Sequence, residues 1–193
     1  MRNVAVFCGS SPGREDEYRQ QAYLVGKYLA NQSIGLVYGG AQIGIMGAVA
    51  EGALNNGGTV VGVIPSFLMA KEIVHHHLTE LIVVSSMHER KAIMNEKSDG
   101  FIMLPGGLGT LEEFFEVLTW AQLGLHRKPI GILNTRGFYD FLLQSIDHMI
   151  AEAFVKDTHK NMIQVATDIE TLVKLMKEYK APNVPKWIQE GET

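Results

Sequence analysis

The sequence predicts a doubly wound α/β domain, a mostly parallel sheet of six or seven strands with helices on both faces. Short β-rich apolar runs alternate with longer segments whose apolar residues recur three and four apart, the periodicities of buried strands and of helices laid on a sheet. Glycine clusters follow several of the runs, where an open parallel sheet places its ligand loops. A length of 193 residues with 46% hydrophobic content suits one core of full size and excludes a disordered chain.

Taken in order, the first run is Asn3–Cys8, and the helical spacing after it covers Glu15–Asn31. Ile34–Tyr38 is followed by Ile45–Asn56. Thr59–Ile64 and Leu81–Val84 are the third and fourth runs, the latter leading into Met87–Lys97. Gly100–Leu104 precedes Leu111–Leu123, and Ile130–Leu133 precedes Tyr139–Ala151. Met162–Ala166 is a seventh run before Ile169–Tyr179. No linker composition interrupts residues 1–180, which read as a single nucleotide-binding domain. Residues 181–193, with Pro182, Pro185 and a polar end, read as a loosely attached tail.

Charge and cysteine usage narrow the function classes. With 17 basic against 21 acidic side chains, the chain cannot neutralise a row of phosphates, so a nucleic acid polymer is not an expected partner and any bound anion is small and locally held. A single cysteine, Cys8, excludes an internal disulfide framework and a multi-thiolate metal site, and fits a reducing compartment. No leader pattern and no apolar stretch of about 18 residues is present, so no membrane contact and a cytoplasmic location are expected.

Three glycine-rich loops follow strands: Gly9, Ser10 and Ser11 after the first, Gly39, Gly40 and Gly44 after the second, and Gly106-Gly107-Leu108-Gly109-Thr110 after the fifth. Right-handed crossovers bring such loops to one edge of the sheet, so all three are expected around one crevice. Glycine there lets main-chain amides approach an anion, and a helix that follows offers unpaired N–H groups to a phosphate. The competing reading is that each glycine only makes a tight turn. None of the loops has the dinucleotide fingerprint or the Walker spacing, which argues against an NAD enzyme or an ATPase.

Two charged residues break local rules. Thr110 followed by Glu113 has the form of a capping box, yet at 100° per residue Glu113 aligns with Val117 and Trp120 rather than with the polar flank of Glu112, Glu116 and Thr119. Glu113 is therefore either a cap or a carboxylate projecting into a half-buried crevice. Arg90 stands near the start of a helix capped by Ser86, where a cation is electrostatically misplaced, and shares a stripe with Met87, Ile93 and Met94. A surface ion pair with Glu89 or Glu96 is one explanation, and a polar ligand shared with Glu113 is the other. His75, His76 and His77 are consecutive and cannot all face one ion, so no metal site is expected. No nucleophile elbow or triad order is present.

Pro105-Gly106-Gly107-Leu108-Gly109-Thr110-Leu111-Glu112-Glu113 together with Met87-His88-Glu89-Arg90-Lys91 resembles the Lonely Guy (LOG) family of cytokinin riboside 5′-monophosphate phosphoribohydrolases. Cys8-Gly9-Ser10-Ser11, Val37-Tyr38-Gly39-Gly40, Gly62-Val63-Ile64-Pro65 and Thr119-Trp120-Ala121-Gln122-Leu123-Gly124 match it too, so the likeness runs from about Val4 to Phe154. The resemblance implies a Rossmann-like homodimer without a cofactor that hydrolyses the N-glycosidic bond of AMP or N6-substituted AMP. It implies Arg90 and Glu113 as the catalytic pair, Gly107 to Thr110 as the phosphate loop, and Lys91 and Glu72 as further nucleotide-site residues. Relatives often labelled lysine decarboxylases share these motifs, but no feature here points to pyridoxal phosphate chemistry. The rival class is a non-catalytic carrier of a nucleotide or phosphorylated cofactor.

Overall fold

The computed structural model describes residues 1–69 and 74–182. Seven parallel strands form one sheet: β1 (Asn3–Phe7), β2 (Gly35–Tyr38), β3 (Val60–Pro65), β4 (Glu80–Val84), β5 (Phe101–Met103), β6 (Ile130–Leu133) and β7 (Ile163–Ala166). The spatial order is β4-β3-β2-β1-β5-β6-β7. Every predicted run is a strand, and the sheet is parallel throughout.

Alternate residues of the central strand β1 enter different cores. Val4 and Val6 pack under α1 (Asp16–Asn31), α2 (Gly44–Leu54) and α7 (Ile169–Glu178), while Ala5 and Phe7 pack under α3 (Met87–Glu96), α4 (Leu108–Gln122) and α5 (Asp140–Ala151). This two-sided burial is why the strands read as continuous apolar runs. A one-turn helix, α6 (Asp157–Lys160), precedes β7 and was not legible in the periodicity, being too short to show one.

The helices α1 and α2 touch backbone to backbone. A Cβ on Gly26 would stand 2.0 Å from the Val49 carbonyl oxygen, and one on Gly52 would stand 2.0 Å from that of Tyr23. Both glycines are there because any side chain would force the helices apart.

Strand order reverses direction of growth between β1 and β5, which makes their carboxyl ends the topological switch point where such folds bind ligands. The two loops meet there: the Gly9 amide donates to the Pro105 carbonyl at 3.1 Å, and Gly106 lies close enough to Gly9 that a side chain on either would collide with the other's main chain.

Candidate active site

A cavity of about 540 Å³ opens at this switch point. The first glycine loop contributes Gly9, Ser10 and Ser11; the loop after β5 contributes Gly106, Gly107, Leu108, Gly109 and Thr110; Arg90, Glu112 and Glu113 add charged side chains to the lining. Aromatic walls come from Tyr18 and Phe138, whose rings meet edge to face at 5.7 Å.

The helix α4 begins earlier than its sequence suggests. Its N-cap is Gly107, not Thr110, so the expected capping box does not form. Thr110 is instead buried in the first turn with its hydroxyl against Gly106. The amides of Leu108, Gly109 and Thr110 are thereby the unpaired ones of the helix start, since the first helical bond runs from the Leu111 amide to the Gly107 carbonyl. Around Gly107 and Gly109 a Cβ would meet nothing within 4 Å, so the protein leaves this helix end open to a ligand.

The second glycine loop departs from expectation: Gly39, Gly40 and Gly44 do not line the cavity. The reason is a hydrogen-bonding contact invisible in the sequence. The Gly9 carbonyl accepts from the Ile45 and Met46 amides at 3.1 and 3.2 Å, so the start of α2 is satisfied by protein and has less to offer an anion. Gly44, at φ +64°, lies against the Ser10 main chain and locks the two loops together. The second loop braces the site from behind.

Arg90 is 6% exposed, which removes the reading as a surface ion pair. One Nη2 hydrogen bond reaches the Gly39 carbonyl at 3.1 Å, and Nη1 has only the Met87 sulfur at 3.9 Å. Its Nε is buried without a partner. A guanidinium has five donors, and leaving them unmatched in a desolvated place is costly unless a ligand supplies acceptors. Ser86 does cap α3, accepting from the Glu89 amide at 3.1 Å, but the Glu89 carboxylate reaches back to the Ser85 amide and hydroxyl rather than to Ser86.

Glu113 is half-buried on the same cavity and neither accepts a hydrogen bond nor forms an ion pair among the described residues. Burial pushes its carboxyl up to about 7; Arg90 and Lys91 pull against this, and Glu112 and Glu116 add to it. Its helical neighbour one turn on, Val117, is 3% exposed and belongs to the core, which explains why this column of α4 is desolvated. Cys8 lines the cavity beside Glu113, and burial first, then that carboxylate, drives its thiol far above the range in which a thiolate forms.

Lys91 stands outside the cavity. Its ammonium bridges Glu112 and Glu116 at 2.7 and 2.8 Å, carboxylates one turn apart on α4. Burial alone would lower the lysine's pKa; hydrogen bonds to the two carboxylates more than offset it and raise it. Glu72 lies outside the described residues. Among the described residues no group of three or more histidine, cysteine, aspartate or glutamate side chains is gathered closely enough to hold a metal ion. Sequence reasoning did not single out Tyr18 and Phe138; isolated aromatics on different elements carry no pattern until the fold brings them together.

Comparison with known proteins places the chain in a family. Residues 46–176 match a family described as "Possible lysine decarboxylase". The probable cytokinin riboside 5′-monophosphate phosphoribohydrolase LOGL9 of Oryza sativa subsp. japonica is 50% identical over 93% of this chain and 79% of its own length. The cytokinin riboside 5′-monophosphate phosphoribohydrolase of Rhodococcoides fascians is 50% identical over 91% and 89%. The chain belongs to the LOG family.

The LOG fold is shared more widely. The Moco carrier protein of Chlamydomonas reinhardtii superposes with a TM-score of 0.69 at 21% identity, covering 92% of this chain and 96% of that one. A molybdenum cofactor binding protein of Rippkaea orientalis gives 0.69 at 24% identity over 91% and 95%. At such identities the likeness concerns the fold. The decarboxylase description finds no support in the cavity, because pyridoxal phosphate needs a lysine for its Schiff base and no lysine among the described residues lines it.

Proposed function

We propose that this protein hydrolyses the N-glycosidic bond of AMP or an N6-substituted AMP, releasing free base and ribose 5-phosphate. The observation that carries the reading is the open start of α4, with three unpaired amides one turn from the half-buried Glu113 and Arg90 on the same cavity. Its homologues' names state the same activity on cytokinin nucleotides.

The 5′-phosphate sits on the amides of Gly107 to Thr110, where the helix dipole favours an anion. Helical side chains lean toward the N-terminus, so the Glu113 carboxylate reaches back toward this loop and faces the ribose, not the phosphate. As the C1′–N bond breaks, its electron pair leaves with the base and positive charge grows on the sugar ring. The Glu113 carboxylate stabilises that charge and takes a proton from the water whose oxygen bonds to C1′. A pKa of about 7 lets it accept that proton and return it to solvent at neutral pH, while the departing base takes up one proton from solvent and leaves neutral.

Arg90 keeps its proton throughout and is not the acid that serves the departing base. Held by Gly39, it presents its remaining N–H groups to a ribose hydroxyl or to Glu113 itself. General acid–base chemistry supplies roughly 10²–10⁴-fold, so phosphate capture must add positioning of the anomeric carbon.

Glu72, and Lys91 through its grip on Glu112 and Glu116, complete the nucleotide site in this reading. In this reading the protein is a homodimer, which the family resemblance supports, in the cytoplasm, which the single cysteine and its fit to a reducing compartment support. No helix among the described residues is long and apolar enough to cross a membrane. Incubation with AMP, isopentenyl-AMP and adenosine, followed by chromatography for free base, tests the activity. Base is expected from both monophosphates and scarcely from adenosine. Equal rates on nucleoside and nucleotide would remove the phosphate anchor, and nucleotide binding without base release would establish a carrier instead.

A further inference from the structure

A phosphate site made only of main-chain amides is as good as the aim of those amides, and a loop of Pro105-Gly106-Gly107 has no hydrogen-bonding side chain with which to hold itself. The structure supplies an outside brace. Tyr139, at the start of α5 and 2% exposed, reaches across to the end of β5, where its hydroxyl donates to the Leu104 carbonyl at 2.8 Å. The Gly106 amide lies against the same phenol oxygen. Leu104 and Gly106 flank Pro105 immediately before the Gly107 N-cap. Burial, and Cys8 next to it, raise the phenol's pKa, so it remains a donor at any working pH.

Tyr139 is itself held in place. Its amide donates to Asn134 Oδ1 at 2.8 Å; Asn134 Nδ2 donates to Asp140 at 2.7 Å, and the Asn134 amide donates to the Ala166 carbonyl of β7 at 2.8 Å. Between them the chain turns through two residues of positive φ, Arg136 and Gly137. A buried asparagine whose side chain satisfies two groups at the start of α5 and whose amide is tied to β7 fixes where Tyr139 begins.

We propose that Tyr139, seated by Asn134, is a positioning residue for phosphate capture, which through its bond to the Leu104 carbonyl sets the direction of the first amides of α4. Tyr139 touches neither the cavity nor substrate; it acts through the loop. The inference rests on the phosphate-anchor reading above, and it adds a residue to which none of the motifs pointed.

The test is Y139F, which keeps the ring and removes the hydroxyl. Calorimetric affinities for ribose 5-phosphate, ribose and adenosine are measured on the wild type and the variant, with Tm recorded alongside. Ribose 5-phosphate is expected to bind about tenfold more weakly to Y139F, with adenosine affinity unchanged. A parallel loss of both ligands, or of neither, overturns the proposal, since a merely structural tyrosine would not single out the phosphate. A wild type that binds ribose 5-phosphate no better than ribose overturns the anchor itself, which separates the two failures. If Y139F melts too low to assay, N134A, which frees the Tyr139 main chain and leaves its hydroxyl, is read in the same way.

Discussion

Nη2 of Arg90 donates to the carbonyl of Gly39 at 3.1 Å, tying a residue of α3 to the end of β2 across 51 positions of sequence. It is the one strong hydrogen bond of a buried guanidinium whose Nε has no partner. The bond explains why a cation tolerates the start of a helix: its place is set by the loop it grips, and the residue lines the cavity with donors to spare.

Gly39 should therefore be essential for turnover and dispensable for folding. A Cβ there would fall 2.1 Å from Arg90 Nη2 and 2.9 Å from the Met46 sulfur, both movable side-chain ends. G39A is expected to lower kcat/KM at least about 100-fold with Tm nearly unchanged. G47A is the contrast, because its Cβ would stand 1.9 Å from the Gln42 carbonyl oxygen, and a loss of about 2 kcal/mol or more in denaturant unfolding is expected.

Replacing Gly109 separates ligand from fold in the opposite way. Nothing in the protein opposes a methyl group there, and alanine favours the helix by up to about 1 kcal/mol. G109A should leave Tm unchanged or raised while weakening AMP binding, with adenosine binding unaffected. Equal affinity for AMP in variant and wild type would mean that the phosphate docks elsewhere.

E113Q should abolish release of base while leaving AMP affinity broadly intact, because the carboxylate acts on the charge that develops at C1′. The same variant should report on stability. The carboxyl's pKa lies at about 7 in the folded protein against an ordinary 4.5, so between those values the native state holds a proton that the unfolded chain has lost. Wild-type stability then falls as pH rises through this window, and the penalty is complete above 7. E113Q is expected to melt about 7–14 °C higher than wild type at pH 8 and nearly level with it at pH 4.5.

The pH–rate profile follows from the same group with the sign reversed. In the proposed mechanism Glu113 works ionised, so kcat/KM should rise with pH along an acid limb centred near 7 and level off above it. A profile that falls through pH 7 would make Glu113 a proton donor.

Much of this was legible along the chain. Continuous apolar runs revealed the strands because both faces of the sheet are covered, and 3.6-residue spacing revealed each of the longer helices. The start of α4 was misplaced by three residues because Thr110 and Glu113 satisfy a capping pattern, whereas the glycines before them let the helix begin sooner. Arg90 and Glu113 stood out as violations of local rules, which is how a site shows itself before any fold is known.

Sequence by itself determined the layered sheet and the loops able to approach an anion, since periodicity and glycine placement are local properties of the chain. Tertiary structure alone decided which helix end stays open: the Gly9 carbonyl consumes the amides of α2, while those of α4 are left bare. It likewise decided that Lys91 is taken by Glu112 and Glu116, and that a tyrosine from α5 braces the loop after β5. Each outcome is a competition between partners far apart in sequence for the same hydrogen bonds, and only their positions in space settle it.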